Sequence, residues 1–252
     1  IADSPLPEVE VVAPKIGKSW MMLQLATAIA EGDPFLGCRS RKMELLYVAC
    51  EDSEYRMAER SKKLKSKESD NLLFDWGRDE KVLDLIGSGA RVVILDTFQR
   101  VRPVDGKSYD YAADVKFSGE VQALAQQRGI AVIAVTHTRK EATEDWLHQV
   151  TGTSGITGSA DTVMLLRRDR SEERGILHVT SRDFRERDIS LVFSEDTACW
   201  RPTTTHQPPQ SNRSKILAAL GDGTLSLGEL AAASGISESN ICRVVRPLID
   251  GG

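Results

Sequence analysis

Val12-Ala13-Pro14-Lys15-Ile16-Gly17-Lys18-Ser19 closes an apolar β-type run at residues 9–13 and leads into a Met-, Leu- and Ala-rich helical pattern at residues 20–30. A strand that turns directly into a helix leaves the first backbone N–H groups of that helix without partners, and the helix dipole favours an anion there. Each residue type suits a phosphate at that place. Gly17 admits close backbone approach, the amides of Gly17, Lys18 and Ser19 point outward, Lys18 neutralises charge, and Ser19 offers a hydroxyl to Mg2+. Pro14, Lys15, Ile16 and Trp20 complete the segment expected to surround a nucleotide. Val12 departs from the G-x-x-x-x-G-K-[ST] pattern, standing where its first glycine belongs.

Outward from this loop, further apolar β-type runs fall at residues 45–49, 92–95 and 130–135, with helical segments between them. One such segment, residues 115–127, places Val121, Leu124 and Ala125 on a single stripe before Gly129 stops it. That alternation predicts an α/β core with a parallel sheet. Three later runs, at residues 162–166, 176–180 and 189–193, are separated only by charged turns, which predicts an antiparallel extension of the same sheet. The expected fold is therefore a P-loop α/β core with a mixed, mainly parallel sheet over residues 1–201. Residues 202–213 are polar and proline-rich and read as a linker. Beyond it Ile216, Leu217 and Leu220, then helical patterns at residues 225–234 and 237–248 joined at Gly235, predict a small all-α helix-turn-helix domain over residues 214–252. Lys62, Lys63, Lys65 and Lys67 are interleaved with acids and serines and read as a solvated helix face.

Composition sets the outer bounds. The 252 residues carry a net charge of −4, with 40% hydrophobic and 28% charged residues, which excludes disordered and collagen-like classes. There is no apolar run long enough to span a bilayer, and the start lacks a basic flank followed by an apolar stretch, so a cytoplasmic protein with no membrane partner is expected. Four scattered cysteines without C-x-x-C spacing predict reduced thiols and no zinc site. The mild acidity confines any nucleic-acid contact to a local groove or channel.

The strand ends carry the remaining chemistry. The run at residues 45–49 leads to Glu51-Asp52, placing acids at the carboxyl edge of the sheet, where open α/β folds bind ligands. Glu51 is the first choice to poise a water against a terminal phosphate, with Asp52 as the second, although acids in this position also cap the following helix. Val92-Val93-Ile94-Leu95 ends in Asp96, a carboxylate suited to Mg2+ beside the phosphate loop. The run at residues 130–135 leads through Thr136 to His137, a donor able to contact the γ-phosphate, or else a structural histidine.

Taken in order, Pro-Lys-Ile-Gly-Lys-Ser, Glu51-Asp52, Ile94-Leu95-Asp96-Thr97, Val135-Thr136-His137 and Gly152-Thr153-Ser154-Gly155-Ile156-Thr157-Gly158-Ser159-Ala160-Asp161 resemble the RecA-like ATPases of the plasmid RepA helicase type over residues 9–200. The resemblance implies a RecA-type fold that hydrolyses ATP with Mg2+ at the interfaces of a hexameric ring. It implies Glu51 as the water-activating residue, Asp96 as the metal-side acid and His137 as the polar switch. A cation from the adjacent subunit completes such sites. By similarity to DnaB-type helicases that cation is Arg182, with Arg185 and Arg187 as competitors.

Single-stranded DNA is the implied partner. Arg139, Lys140, Thr153 and Ser154 lie in the long connection expected to line its channel, and residues 102–111, with Tyr109 and Tyr111, form a second candidate loop. The tail is similar to winged-helix modules, whose second helix would expose Ser239, Asn240, Arg243 and Arg246, although small helical domains also dock protein partners. The expected function is an ATP-driven motor on single-stranded DNA, of the plasmid or phage replicative helicase kind, working with replication or recombination proteins. A RecA-like switch that loads or remodels protein partners is the alternative, and a nuclease using the acidic edge a minor one.

Overall fold

The computed structural model describes residues 9–11, 16–77, 82–86, 89–101, 111–136, 159–168 and 172–204, and in the tail 216, 219–220, 224–235, 238, 241–242 and 245. The chain divides into two compact units, Ile1–Thr205 and His206–Gly252.

In the first unit, strands β1 (Val9–Val11), β2 (Leu45–Ala49), β3 (Leu72–Asp75), β4 (Val92–Asp96) and β5 (Ala131–Val135) form a parallel sheet in the order β1-β5-β4-β2-β3. Every residue of β2, β4 and β5 is buried, because helices cover both faces. Successive side chains of β2 divide between the two covers. Leu45, Tyr47 and Ala49 pack with Met21, Met22 and Leu23 of helix α1 (Lys18–Glu31). Leu46 and Val48 pack with Phe117, Val121 and Ala125 of a later helix, Tyr111–Arg128. Between α1 and that helix lie α2 (Glu54–Leu64), α3 (Val82–Ile86) and α4 (Phe98–Val101), so the long helix is α5. Since β5 is inserted between β1 and β4, the carboxyl end of β5 lies between the phosphate loop and Asp96.

Strands β6 (Thr162–Arg168), β7 (Arg174–Ser181), β8 (Arg187–Ser194) and β9 (Cys199–Pro202) form an antiparallel sheet in sequence order. The single mixed sheet expected from sequence is thus two sheets in hydrogen-bonding terms. Among the described residues β6 runs beside β1 with Cα atoms within 8 Å, yet no ladder joins them. The apolar layer is nonetheless continuous, since Leu166, Leu177, Val179, Leu191, Phe193 and Trp200 join the α1 cluster.

The Lys62 and Lys63 side chains are exposed on α2, whose buried face carries only Met57, but the helix ends at Leu64, so Lys65, its left-handed C-cap, and Lys67 do not share that face. In the second unit Ile216, Leu230 and Ile241 are buried together. Helix α6 (Leu227–Ser234) begins with a capping box between Ser226 and Glu229, and those hydrogen bonds hold the Glu229 carboxyl below its ordinary pKa. It stops at Gly235, whose φ of 67° is the left-handed conformation that glycine adopts without strain. Among the described residues no helix is long and apolar enough to cross a membrane.

Candidate active site

Gly17 is the N-cap of α1 at φ 100° and ψ 19°, and no side chain caps the helix start. The first amides are therefore available to an anion. Lys18 follows with only 5% of its surface exposed, and its Nζ donates to the Thr136 carbonyl, just past β5, at 2.6 Å. Asp96, at the end of β4, is equally buried. Its Oδ2 accepts from the Tyr47 hydroxyl at 2.7 Å, and its carboxylate also accepts from the Ser19 hydroxyl. Burial pushes the Asp96 carboxyl above its ordinary pKa, against the pull of the Tyr47 and Ser19 hydrogen bonds and of the Lys18 charge. Burial, then the Asp96 charge, pushes the Tyr47 phenol well above its own. Ser19 hydroxyl and Asp96 carboxylate are hard oxygen donors already within hydrogen-bond reach of one another, so this pair fits Mg2+.

Glu51 and Asp52 are neighbours in sequence with different surroundings. Asp52 accepts from Arg56 at 2.8 Å and from Arg60, while Ser53 caps α2 by accepting from the Arg56 amide at 3.3 Å. Asp52 is therefore committed to the Arg56 and Arg60 side chains of α2, while the cap of that helix is Ser53 and neither acid. Glu51 keeps 40% of its side chain exposed; its Oε1 accepts from Thr97 Oγ1 at 3.0 Å and stands 3.8 Å from Arg100 Nε. Thr97 directly follows Asp96, so this bond ties Glu51 to the β4 end. Cys50, beside them, has its thiol pushed up to about 12, chiefly by burial, and stays neutral.

Trp20 lies under two cations of α2, with Arg60 at 5.3 Å and Lys63 at 6.0 Å from its ring centroid. These contacts bind α1 to α2. Arg182, just past β7, pairs with Asp161 at 3.2 Å and keeps 57% of its side chain exposed. Arg187 lies over the Phe184 ring at 5.1 Å. Pro14, Lys15, His137, Arg139, Lys140, Thr153, Ser154, Tyr109, Ser239, Asn240, Arg243 and Arg246 lie outside the described residues. Tyr111 is the first residue of α5.

Two contacts of this site escape a linear reading: the Tyr47 hydroxyl on Asp96, and the Trp200 indole Nε1, which donates to the Gly17 carbonyl at 3.2 Å. Tyr47 did leave one signal, since a hydroxyl in an otherwise apolar, fully buried strand must find a partner. Tyr47→Phe leaves a buried carboxylate short of a donor and is expected to lower the unfolding free energy of the metal-free protein by about 1.5–3 kcal/mol. Urea denaturation in chelator checks this, and an unchanged midpoint would show the bond to be idle.

A glycine-capped phosphate loop after the first strand, with Lys18 and Ser19 brought to Asp96, defines a P-loop ATPase core. Residues 11–143, more than half of the chain, match the AAA_25 family model, described as an AAA domain. The chain belongs to that family and is an ATP hydrolase. No curated protein sequence matches it.

Among the solved structures that share the fold are the following three. One, described as an ATPase domain, is 13% identical, with a TM-score of 0.58 over 77% of this chain and 84% of that one. A DnaB-like replicative helicase, described with its interactions with primase, is 14% identical, with a TM-score of 0.59 over 80% of this chain. This chain spans 58% of that helicase's length. The KaiC-like protein PH0186 from the archaeon Pyrococcus horikoshii OT3 is 11% identical, with a TM-score of 0.56 over 78% of this chain and 89% of that one. The fold is RecA-like.

Proposed function

We propose that this chain is an ATP-driven motor that travels on single-stranded DNA as a hexameric ring, a replicative helicase of plasmid or phage type. The observation that carries the reading is the meeting of Lys18, Ser19 and Asp96 at the carboxyl ends of β1, β4 and β5. There the Lys18 ammonium and the helix-start amides of Gly17, Lys18 and Ser19 grip the triphosphate, with Pro14, Lys15, Ile16 and Trp20 in the surrounding segment. Bound between Ser19 and Asp96, Mg2+ would neutralise phosphate oxygens during transfer. Glu51, steadied by Thr97, orients the attacking water, and His137 senses the γ-phosphate.

Arg182 supplies the finger to a neighbouring copy. Gly175 packs against Trp200, which bonds to Gly17, so the Arg168–Gly175 end of the β6/β7 ladder lies at the phosphate loop. Arg182 follows the Thr162–Ser181 pair, six residues further along β6, about 20 Å away in a strand. That is too far to serve its own loop and favours a site shared between subunits. Arg139, Lys140, Thr153 and Ser154 are the residues assigned to DNA contact. Residues 1–201 are the motor, 202–213 a linker, and 214–252 a helix-turn-helix or winged-helix-like module contacting DNA through Arg243.

Single-stranded DNA is expected to raise ATP turnover severalfold, measured as phosphate release with and without oligonucleotide. Unchanged turnover would favour a switch that loads or remodels replication or recombination proteins.

A further inference from the structure

Strand β9 reaches the phosphate loop through one fully buried side chain, Trp200. Its indole N–H donates to the Gly17 carbonyl at 3.2 Å, and the Met21 amide donates to the same oxygen at 3.0 Å. The Trp200 backbone is held from both sides by Gln24 of α1: its amide donates to Gln24 Oε1 at 2.8 Å, and Gln24 Nε2 donates to its carbonyl at 2.9 Å. The ring is seated tightly, since a Cβ on Gly17 would stand 3.1 Å from ring carbon Cζ2 and one on Gly175 3.1 Å from Cζ3. Phe193 packs on the ring at 5.1 Å, and the Arg168 guanidinium lies 5.6 Å from its centroid.

The consequence lies in the next peptide group. A trans peptide is planar, with its C=O and the following N–H pointing in opposite directions. Two donors on the Gly17 carbonyl therefore aim the Lys18 N–H away from Trp200, out of the helix start, where a phosphate would lie. We infer that Trp200, held by Gln24, is a positioning residue that pre-sets the phosphate loop for nucleotide, making the antiparallel sheet part of the site. A preformed loop has less order to acquire on binding. This inference rests on the phosphate-loop reading.

Trp200→Phe keeps an aromatic ring and removes the donor. It is expected to weaken binding of ATP with Mg2+ about three- to tenfold by calorimetry, the range of one lost neutral hydrogen bond. Val121→Ala, in the α5 layer away from the loop, is expected to lower the melting temperature while leaving the ATP Kd within about twofold. An unchanged Kd in Trp200→Phe, or an equal weakening in Val121→Ala, overturns the positioning role. Gln24→Ala, which frees the β9 backbone but keeps the indole, is read by the same criteria if Trp200→Phe does not fold. Absence of ATP uptake by the wild-type chain would mean that the phosphate-loop reading itself had failed, leaving Trp200 nothing to position.

Discussion

Lys18→Ala is expected to abolish ATP turnover, by more than about a hundredfold, while leaving the chain folded. The two halves of that expectation have separate causes. Nζ donates to the Thr136 carbonyl at 2.6 Å from a nearly buried position, so the wild-type ammonium already bears a desolvation cost that alanine removes. The carbonyl loses a donor in exchange, and the net effect on stability is small beside the core of two apolar layers. Catalysis has no such compensation. The role proposed for the Lys18 ammonium is to neutralise phosphate charge during transfer, and alanine offers nothing in its place. Phosphate-release kinetics with circular dichroism as the folding control decide it. Ordinary turnover in a folded Lys18→Ala variant would end the phosphate-loop assignment.

What the linear sequence discloses about this fold follows from burial. Strands β2, β4 and β5 are covered on both faces, so their residues must be apolar in succession, and such runs stand out. The edge strand β3 is not constrained in this way: Leu73 is 54% exposed, and no strand stood out there. Strand β9, Cys-Trp-Arg-Pro, is too short to display a period. The division between the two sheets was also hidden, because β6 to β9 have ordinary strand patterns whatever they pair with.

The candidate site divides along the same physical line. Gly17, Lys18 and Ser19 act through local geometry, a strand followed by a helix start, and neighbouring positions disclose that. Tyr47 reaches Asp96 across 49 positions and Trp200 reaches Gly17 across 183, distances that only the folded chain closes. In the sequence only the longer reach of its side chain ranks Glu51 above Asp52. Arg56 and Arg60, four and eight residues after Asp52, engage it and leave Glu51 at the β4 end.

Arg182→Ala should leave nucleotide binding intact and reduce hydrolysis at least about a thousandfold, the scale of a removed arginine finger. Its salt bridge to Asp161 is largely exposed, so the loss costs less than about 1 kcal/mol of stability and the variant should fold as the wild type does. Because Arg182 stands near the end of the β6/β7 ladder remote from its own phosphate loop, the proposed arrangement makes a demand that no single-chain site would make. A subunit bearing Arg182→Ala still has Lys18, and one bearing Lys18→Ala still has Arg182. Mixed in one assembly, two inactive proteins should regenerate hydrolysis wherever the first presents its loop to the second. Activity is expected to rise to a maximum at intermediate mixing ratios and vanish at either extreme. A mixture that co-assembles yet stays as inactive as its components at every ratio would remove Arg182 from the shared site, and Arg185 and Arg187 would be the next positions to test in the same mixing experiment.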